Sequence, residues 1–150
     1  MTLVKRWFQI AVFETEDLRA SMTITMDGRY EWAFEQPAWR PIAVGSGPES
    51  CFLWSARELI RLPQEVDDEP EVVARTDEDL IVVFEHEGGW VLVCESSVRR
   101  LIGGEQTSRW ELPEVVVRAA WRGAELAVLD EGGEEVLLRV AGPDLTPVVR

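Results

Sequence analysis

The sequence is poor in the residues from which most catalytic and metal sites are built. There is one histidine, His86, and there are two cysteines, Cys51 and Cys94, in 150 residues. A Ser/His/Asp or Cys/His arrangement would have to pass through His86. That residue stands in Glu85-His86-Glu87-Gly88, between two carboxylates beside a turn, and reads as an ordinary solvated imidazole. One histidine and two separated cysteines offer no zinc spacing. Two cysteines are also too few for a disulfide framework. Both lie beside apolar residues and read as buried, reduced thiols; a Cys51–Cys94 bridge is the other reading. Basic residues are scarce as well. Fifteen Lys and Arg against 28 Asp and Glu leave a net charge of −13. Such a field keeps a protein soluble and repels phosphate backbones and anionic lipid, so neither nucleic acid nor a membrane surface is expected as a partner. No apolar run is long enough to span a bilayer. The first apolar run ends at Phe13 and meets Glu14, Glu16 and Asp17 where a signal peptide would need a small-residue cleavage site. The expected location is cytoplasmic. No phosphate-cradling Gly-x-x-x-x-Gly-Lys is present, and no stretch carries the periodicity of an amphipathic helix.

What is present is strand and turn signal. At 46% hydrophobic and 29% charged, the chain has the composition of an ordinary globular protein, and its length fits a single all-β domain over residues 1–150. Apolar segments at Trp7–Phe13, Ser21–Met26, Tyr30–Phe34, Ile42–Val44, Cys51–Trp54, Glu58–Leu62, Val72–Arg75, Leu80–Phe84, Trp90–Cys94, Val98–Ile102, Val115–Trp121, Glu125–Leu129 and Val136–Val140 read as strands. Breaks fall at Gln64–Glu71, Thr76–Asp79, Glu87–Gly89 and Gly103–Ser108, and a short apolar stretch follows around Pro143 and Pro147. The Asp27-Gly28 turn between Ser21–Met26 and Tyr30–Phe34 marks a hairpin. A three-residue loop, Met26-Asp27-Gly28, pairs Ile24 with Tyr30 and puts apolar against apolar. A two-residue loop would pair Met26 with Arg29 instead.

The chain also repeats itself. Pro70-Glu71-Val72-Val73-Ala74-Arg75 is answered by Pro113-Glu114-Val115-Val116-Val117-Arg118, and Cys51 by Cys94, in both cases 43 residues later. A period of about 40–45 residues is that of a four-stranded propeller blade. Leu80–Phe84 and Val91–Val93 are apolar on both faces, which places them between sheets rather than against water. The expected fold is therefore all-β: an antiparallel meander of about 12–15 short strands in 40–45-residue repeats, propeller-like, with a β-sandwich or barrel as the alternative. The segment WVLVCESSVRRLIGG, followed by EVVVRAAWRGAELAVLDEGGEEVLL, resembles the generic blade of quinoprotein-like and WD-repeat propellers. The resemblance spans residues 42–140, comes without the Gly-His and Trp-Asp signatures or a periodic quinoprotein tryptophan motif, and implies a fold.

Function is less legible. The acidic clusters Asp67-Asp68-Glu69 and Asp77-Glu78-Asp79 lack EF-hand spacing and read as solvated turns. Of seven tryptophans, Trp7, Trp32, Trp54, Trp90 and Trp121 lie in apolar strands and read as core. Trp39 and Trp110 stand in polar connectors beside Arg40 and Arg109, and these four residues are the candidate interface. The expected function is a non-enzymatic binding or protein-interaction module with no cofactor. An acidic inhibitor of the immunity type, acting on a basic partner, is a specific form of it. A carbohydrate or small-ligand binder using exposed Trp and a carboxylate-based hydrolase are the alternatives. At about 43 residues per unit the chain holds roughly three and a half units, fewer than the four blades a closed propeller needs. Open edges at Trp7–Phe13 and Val136–Val140 would then favour a homodimer.

Overall fold

A computed structural model describes residues 8–14, 19–26, 30–37, 42–47, 50–64 and 68–149. The described residues form fifteen β-strands and no helix. Backbone contacts divide the chain into two compact units, Met1–Arg75 and Thr76–Arg150.

In the first unit β1 (Phe8–Glu14), β2 (Arg19–Met26) and β3 (Tyr30–Pro37) make a three-stranded antiparallel sheet in chain order. The β2–β3 register pairs Met22 with Phe34, Ile24 with Trp32 and Met26 with Tyr30. The register thus pairs apolar positions with apolar ones, as the alternation requires, but Ile24 is not paired with Tyr30. Alternation fixes which face a residue occupies and leaves a slip of two residues open. The pairing encloses three residues, Asp27, Gly28 and Arg29, whose turn lies outside the described residues.

A four-stranded sheet follows: β4 (Ala43–Ser46), β5 (Cys51–Trp54), β6 (Glu58–Arg61) and β7 (Glu71–Arg75), again in chain order. Leu53, Ile60 and Leu62 are its buried centre, with Ile42, Cys51 and Val72 packed around them. Gly45 pairs with Phe52 across β4–β5, and a Cβ there would lie 2.7 Å from the Phe52 ring. Phe52 is only 2% exposed and cannot swing away. Gly45→Ala should cost about 1–3 kcal/mol by overpacking, read as a lower urea midpoint with unchanged slope.

The second unit contains two further four-stranded meanders. One is β8 (Leu80–His86), β9 (Gly89–Cys94), β10 (Ser97–Ile102) and β11 (Glu105–Glu111). The other is β12 (Val116–Arg122), β13 (Glu125–Asp130), β14 (Glu135–Ala141) and β15 (Asp144–Pro147). Val91, Val93 and Val98 of the former pack on Val116, Leu126, Val128, Leu138, Val140 and Leu145 of the latter. Burial of side chains of this size contributes about 1.5–3 kcal/mol each and is what joins the two sheets. Strand β9 is buried along its whole length, as its two apolar faces imply.

The repeat is real, but its period is shorter than 43 residues. Leu80 pairs with Cys94 and His86 with Gly89; Val116 pairs with Asp130 and Arg122 with Glu125. Each residue of the second hairpin stands 36 places after its counterpart. Val72–Arg75 is therefore the last strand of one sheet and Val116–Arg118 opens another, so the two are not equivalent. Similarly, Cys51 begins β5 whereas Cys94 ends β9. A 43-residue shift lays β7 on β12 and β8 on β13, seven residues out of step with the 36-residue repeat. In a meander of similar hairpins that misalignment still matches apolar to apolar.

Two-residue turns close these hairpins. Glu87 and Gly88 both have positive φ, 43° and 76°, the backbone a type I′ turn demands. Beside that turn, a Cβ on Gly89 would fall 2.2 Å from the Leu101 carbonyl oxygen.

Candidate interaction site

Within Thr76–Arg150, the residues that the sequence offers for chemistry or recognition divide between the two faces of the sheet β8–β11. Strand β10 carries Arg99 and Arg100 in succession, and neighbouring strand residues point to opposite faces. Both side chains are buried, Arg99 at 6% and Arg100 at 0% exposure, and a buried guanidinium must find partners for its donors.

On one face, Arg99 donates to Asp77 Oδ1 at 2.6 Å, to Glu78 Oε2 at 2.5 Å and to Ser97 Oγ at 3.2 Å. Glu78 is the hub. Its carboxylate also accepts from the Ser96 backbone N–H at 2.8 Å, the Ser96 hydroxyl at 2.6 Å, the Ser97 hydroxyl at 2.8 Å and Arg109 at 3.1 Å. Arg99 and Arg109 lie directly opposite each other on β10 and β11, and the shared carboxylate makes that like-charge pair tolerable. Burial works against the charge on Glu78. The hydrogen bonds from Ser96, Ser97 and Arg99 overcome it and hold the acid down to about 2. Asp77 is lowered too, through its bond to Arg99. Neither is a general base near neutral pH, because an acid that weakly basic holds no proton affinity to spare.

Cys94 sits by the same network. Burial pushes its thiol up to about 11, the opposite of what a nucleophile needs. Cys94 is fully buried and Cys51 half-buried, and both are thiols. A thiol reagent should modify Cys94 only after denaturation, and Cys51 slowly in the native protein. Fast reaction of two thiols under native conditions would contradict this.

On the other face, Arg100 donates to three backbone carbonyls: His86 at 2.8 Å, Gly142 at 2.9 Å and Glu87 at 3.3 Å. It thereby ties the β8–β9 turn to the β14–β15 turn. His86 is half-buried rather than solvated, its ring stacked on Trp121 with centroids 4.6 Å apart. No cluster of three or more His, Cys, Asp or Glu able to hold a metal ion occurs among the described residues.

Trp39 and Arg40 lie outside the described residues. Arg109 and Trp110 do not occupy a connector but the edge strand β11. They point to opposite faces, Arg109 into the Glu78 network and Trp110 against the core shared with β12–β15. Arg109 keeps 35% of its side chain exposed and is further paired to Glu111. The missed residues are Glu78, Arg99 and Arg100. Their signal was two consecutive arginines flanked by Val98 and Leu101 inside a strand.

The first unit has a cavity of about 360 Å³ along the β6–β7 connection, lined by Arg61, Leu62, Pro63, Gln64, Asp68, Glu69 and Glu71. Arg61 and Glu71 pair across its rim. Its walls are polar and include no tryptophan.

No family model matches the chain, and no curated protein sequence does. Among solved structures it is similar to the N-terminal domain of Nup159, with a TM-score of 0.57 and 15% identity over 95% of this chain and 40% of that one. It is also similar to the WD40 domain of SCAP from fission yeast, with a TM-score of 0.50 and 13% identity over 99% of this chain and 45% of that one. The chain spans less than half the length of these structures. At such identity the likeness concerns the fold, and the fold is propeller-like.

Proposed function

We propose that this chain is a non-enzymatic protein-binding module for a basic partner. The observation that carries it is where the chemically capable side chains are spent. Asp77, Glu78, Arg99 and Arg109 bind one another, Arg100 is engaged by carbonyls, His86 lies against Trp121 and Cys94 is sealed in the core. These groups build the scaffold. The surface they leave is acidic, with a net charge of −13 over the chain, which steers basic partners and repels acidic ones. An inhibitor of a basic protein is one form this binding could take. The sugar-binding alternative draws no support from the cavity along the β6–β7 connection, whose lining has no aromatic residue to stack on a ring.

The test is affinity capture from the native host with the full chain at low ionic strength, followed by a salt gradient. A stoichiometric basic protein released as ionic strength rises past about 0.15 M is the expected result. Saturable quenching of tryptophan fluorescence by one member of a sugar panel, or hydrolysis abolished by a single Glu→Gln change, would replace this reading.

A further inference from the structure

Strands β8 and β12 open the two sheets of Thr76–Arg150, and each is the edge strand of its sheet. Both are bulged at the second residue. The ladder steps from Leu80↔Cys94 to Val82↔Val93, skipping Ile81, and from Val116↔Asp130 to Arg118↔Leu129, skipping Val117. A bulge takes one residue out of the ladder and re-aims its side chain. Both skipped residues are apolar, and both face solvent, Ile81 at 37% and Val117 at 53% exposure. The residues just before them, Leu80 and Val116, are buried at 7% and 5% and supply the core. A single exposed valine needs no explanation. The same exposed apolar bulge at the same place in two successive sheets is a pattern that the core does not require.

A glutamate accompanies each bulge, again 36 residues apart. The Glu95 backbone N–H donates to the Asp79 carbonyl at 2.9 Å, and that of Glu131 to the Val115 carbonyl at 2.8 Å. The Glu95 carbonyl in turn accepts from the Val116 N–H at 2.8 Å, which sets Glu95 between the starts of β8 and β12. Both glutamates are exposed, and neither has an ion-pair partner among the described residues. Exposed on this rim of the unit are Ile81, Glu95, Val117 and Glu131, with Arg118 beside Val117.

We propose that these four residues form a docking ledge for an extended basic segment of a partner protein, which sets an apolar side chain at each bulge and a Lys or Arg at each glutamate. This rests on the protein-binding reading above and gives it a surface. Charge complementarity selects the occupant. A second copy of this chain would bring another −13 to an already acidic rim, whereas a segment carrying basic and apolar residues complements it in charge and in character.

The probe is a fluorescein-labelled dodecapeptide of Lys-Lys-Val-Val repeats, which presents Lys and Val in turn on each face of an extended chain, compared by anisotropy with a Lys-Lys-Ser-Ser peptide of equal charge in 0.15 M salt. The Lys-Val peptide should bind at least about tenfold more tightly, the discrimination expected of buried anchors over charge alone. Ile81→Ser with Val117→Ser should abolish that preference. Glu95→Gln with Glu131→Gln should weaken both peptides about tenfold and flatten the salt dependence. Glu105→Gln with Asp144→Asn, exposed at the opposite strand ends, should leave both unchanged; far-UV circular dichroism and Cys94 protection confirm that each variant is folded. Equal binding of the two peptides, no saturable binding, or equal loss in the control pair overturns the ledge. So does sedimentation showing that the four substitutions alter self-association. If the peptides fail while the host partner is still captured, the ledge falls and the protein-binding reading stands. If capture itself yields nothing, that reading is what fails.

Discussion

An Arg100→Met protein should unfold about 6–12 °C below the parent, corresponding to a loss of about 3 kcal/mol for a chain of this length. Two effects compete. Removing a buried guanidinium relieves its desolvation, and burial does disfavour the cation here, holding the Arg100 pKa below its ordinary value. Exchanging a whole buried ionic cluster for hydrocarbon can even stabilise a protein. At Arg100, however, the acceptors are backbone carbonyls that methionine leaves in place. Those of His86, Glu87 and Gly142 would each lose a donor at an average cost of about 1 kcal/mol, more where water cannot reach. The loss also unties the β8–β9 turn from the β14–β15 turn, which keeps its bond from Thr107 Oγ1 of β11 to the Pro143 carbonyl at 2.8 Å. The orphaned carbonyls decide the sign. Arg100→Lys keeps the charge without the planar fork and should fall between the two. A methionine variant as stable as the parent would show that the buried cation costs as much as its three bonds return.

How much of this was readable from residues alone depended on which physical signal each element carried. Strands β9 and β13 announced themselves because both of their faces are buried, so every position is apolar or nearly so. Strand β11 (Glu105–Glu111) did not. It is an edge strand with exposed Glu105, Gln106, Thr107, Arg109 and Glu111, and hydroxyls and charges there look like a connector. That one misreading also moved Arg109 and Trp110 from a loop patch to opposite sides of a sheet. The repeat was visible but misregistered, since sequence similarity between hairpins cannot tell a shift of one sheet from a shift of one sheet and one strand. Bulges at Ile81 and Val117 and the carbonyl partners of Arg100 depend on register and backbone direction, which no composition encodes. The Glu78 hub was equally hidden. Asp77-Glu78-Asp79 reads as a solvated acidic turn, and only the fold brings Ser96, Ser97, Arg99 and Arg109 to it, 18 to 31 residues away.

Replacing that hub by Glu78→Gln should cost about 2–3 kcal/mol at pH 7 and almost nothing near pH 2. In the folded chain the Glu78 acid titrates at about 2, against an ordinary value of 4.5. A depressed folded pKa means that the folded state favours the ionised form, so the stabilisation is complete above about 4.5 and disappears as pH falls through about 2. The difference of roughly two and a half pH units sets the magnitude at about 3 kcal/mol, reduced by the screening that reaches a carboxylate with 16% of its side chain in solvent. The amide keeps the shape and can still accept from Ser96 or Ser97. What it removes is the charge between Arg99 and Arg109, which then face each other across β10 and β11 with only Asp77 and Glu111 to answer them. Both of those carboxylates are largely exposed and count for little. Urea titrations of parent and variant at several pH values give the result directly. The parent should lose stability steadily from about pH 4.5 downward, the variant less steeply, and the two curves should converge in strong acid. A gap that is the same at pH 7 and pH 2, or one below about 0.5 kcal/mol at pH 7, would mean that the carboxylate is held by shape rather than by charge.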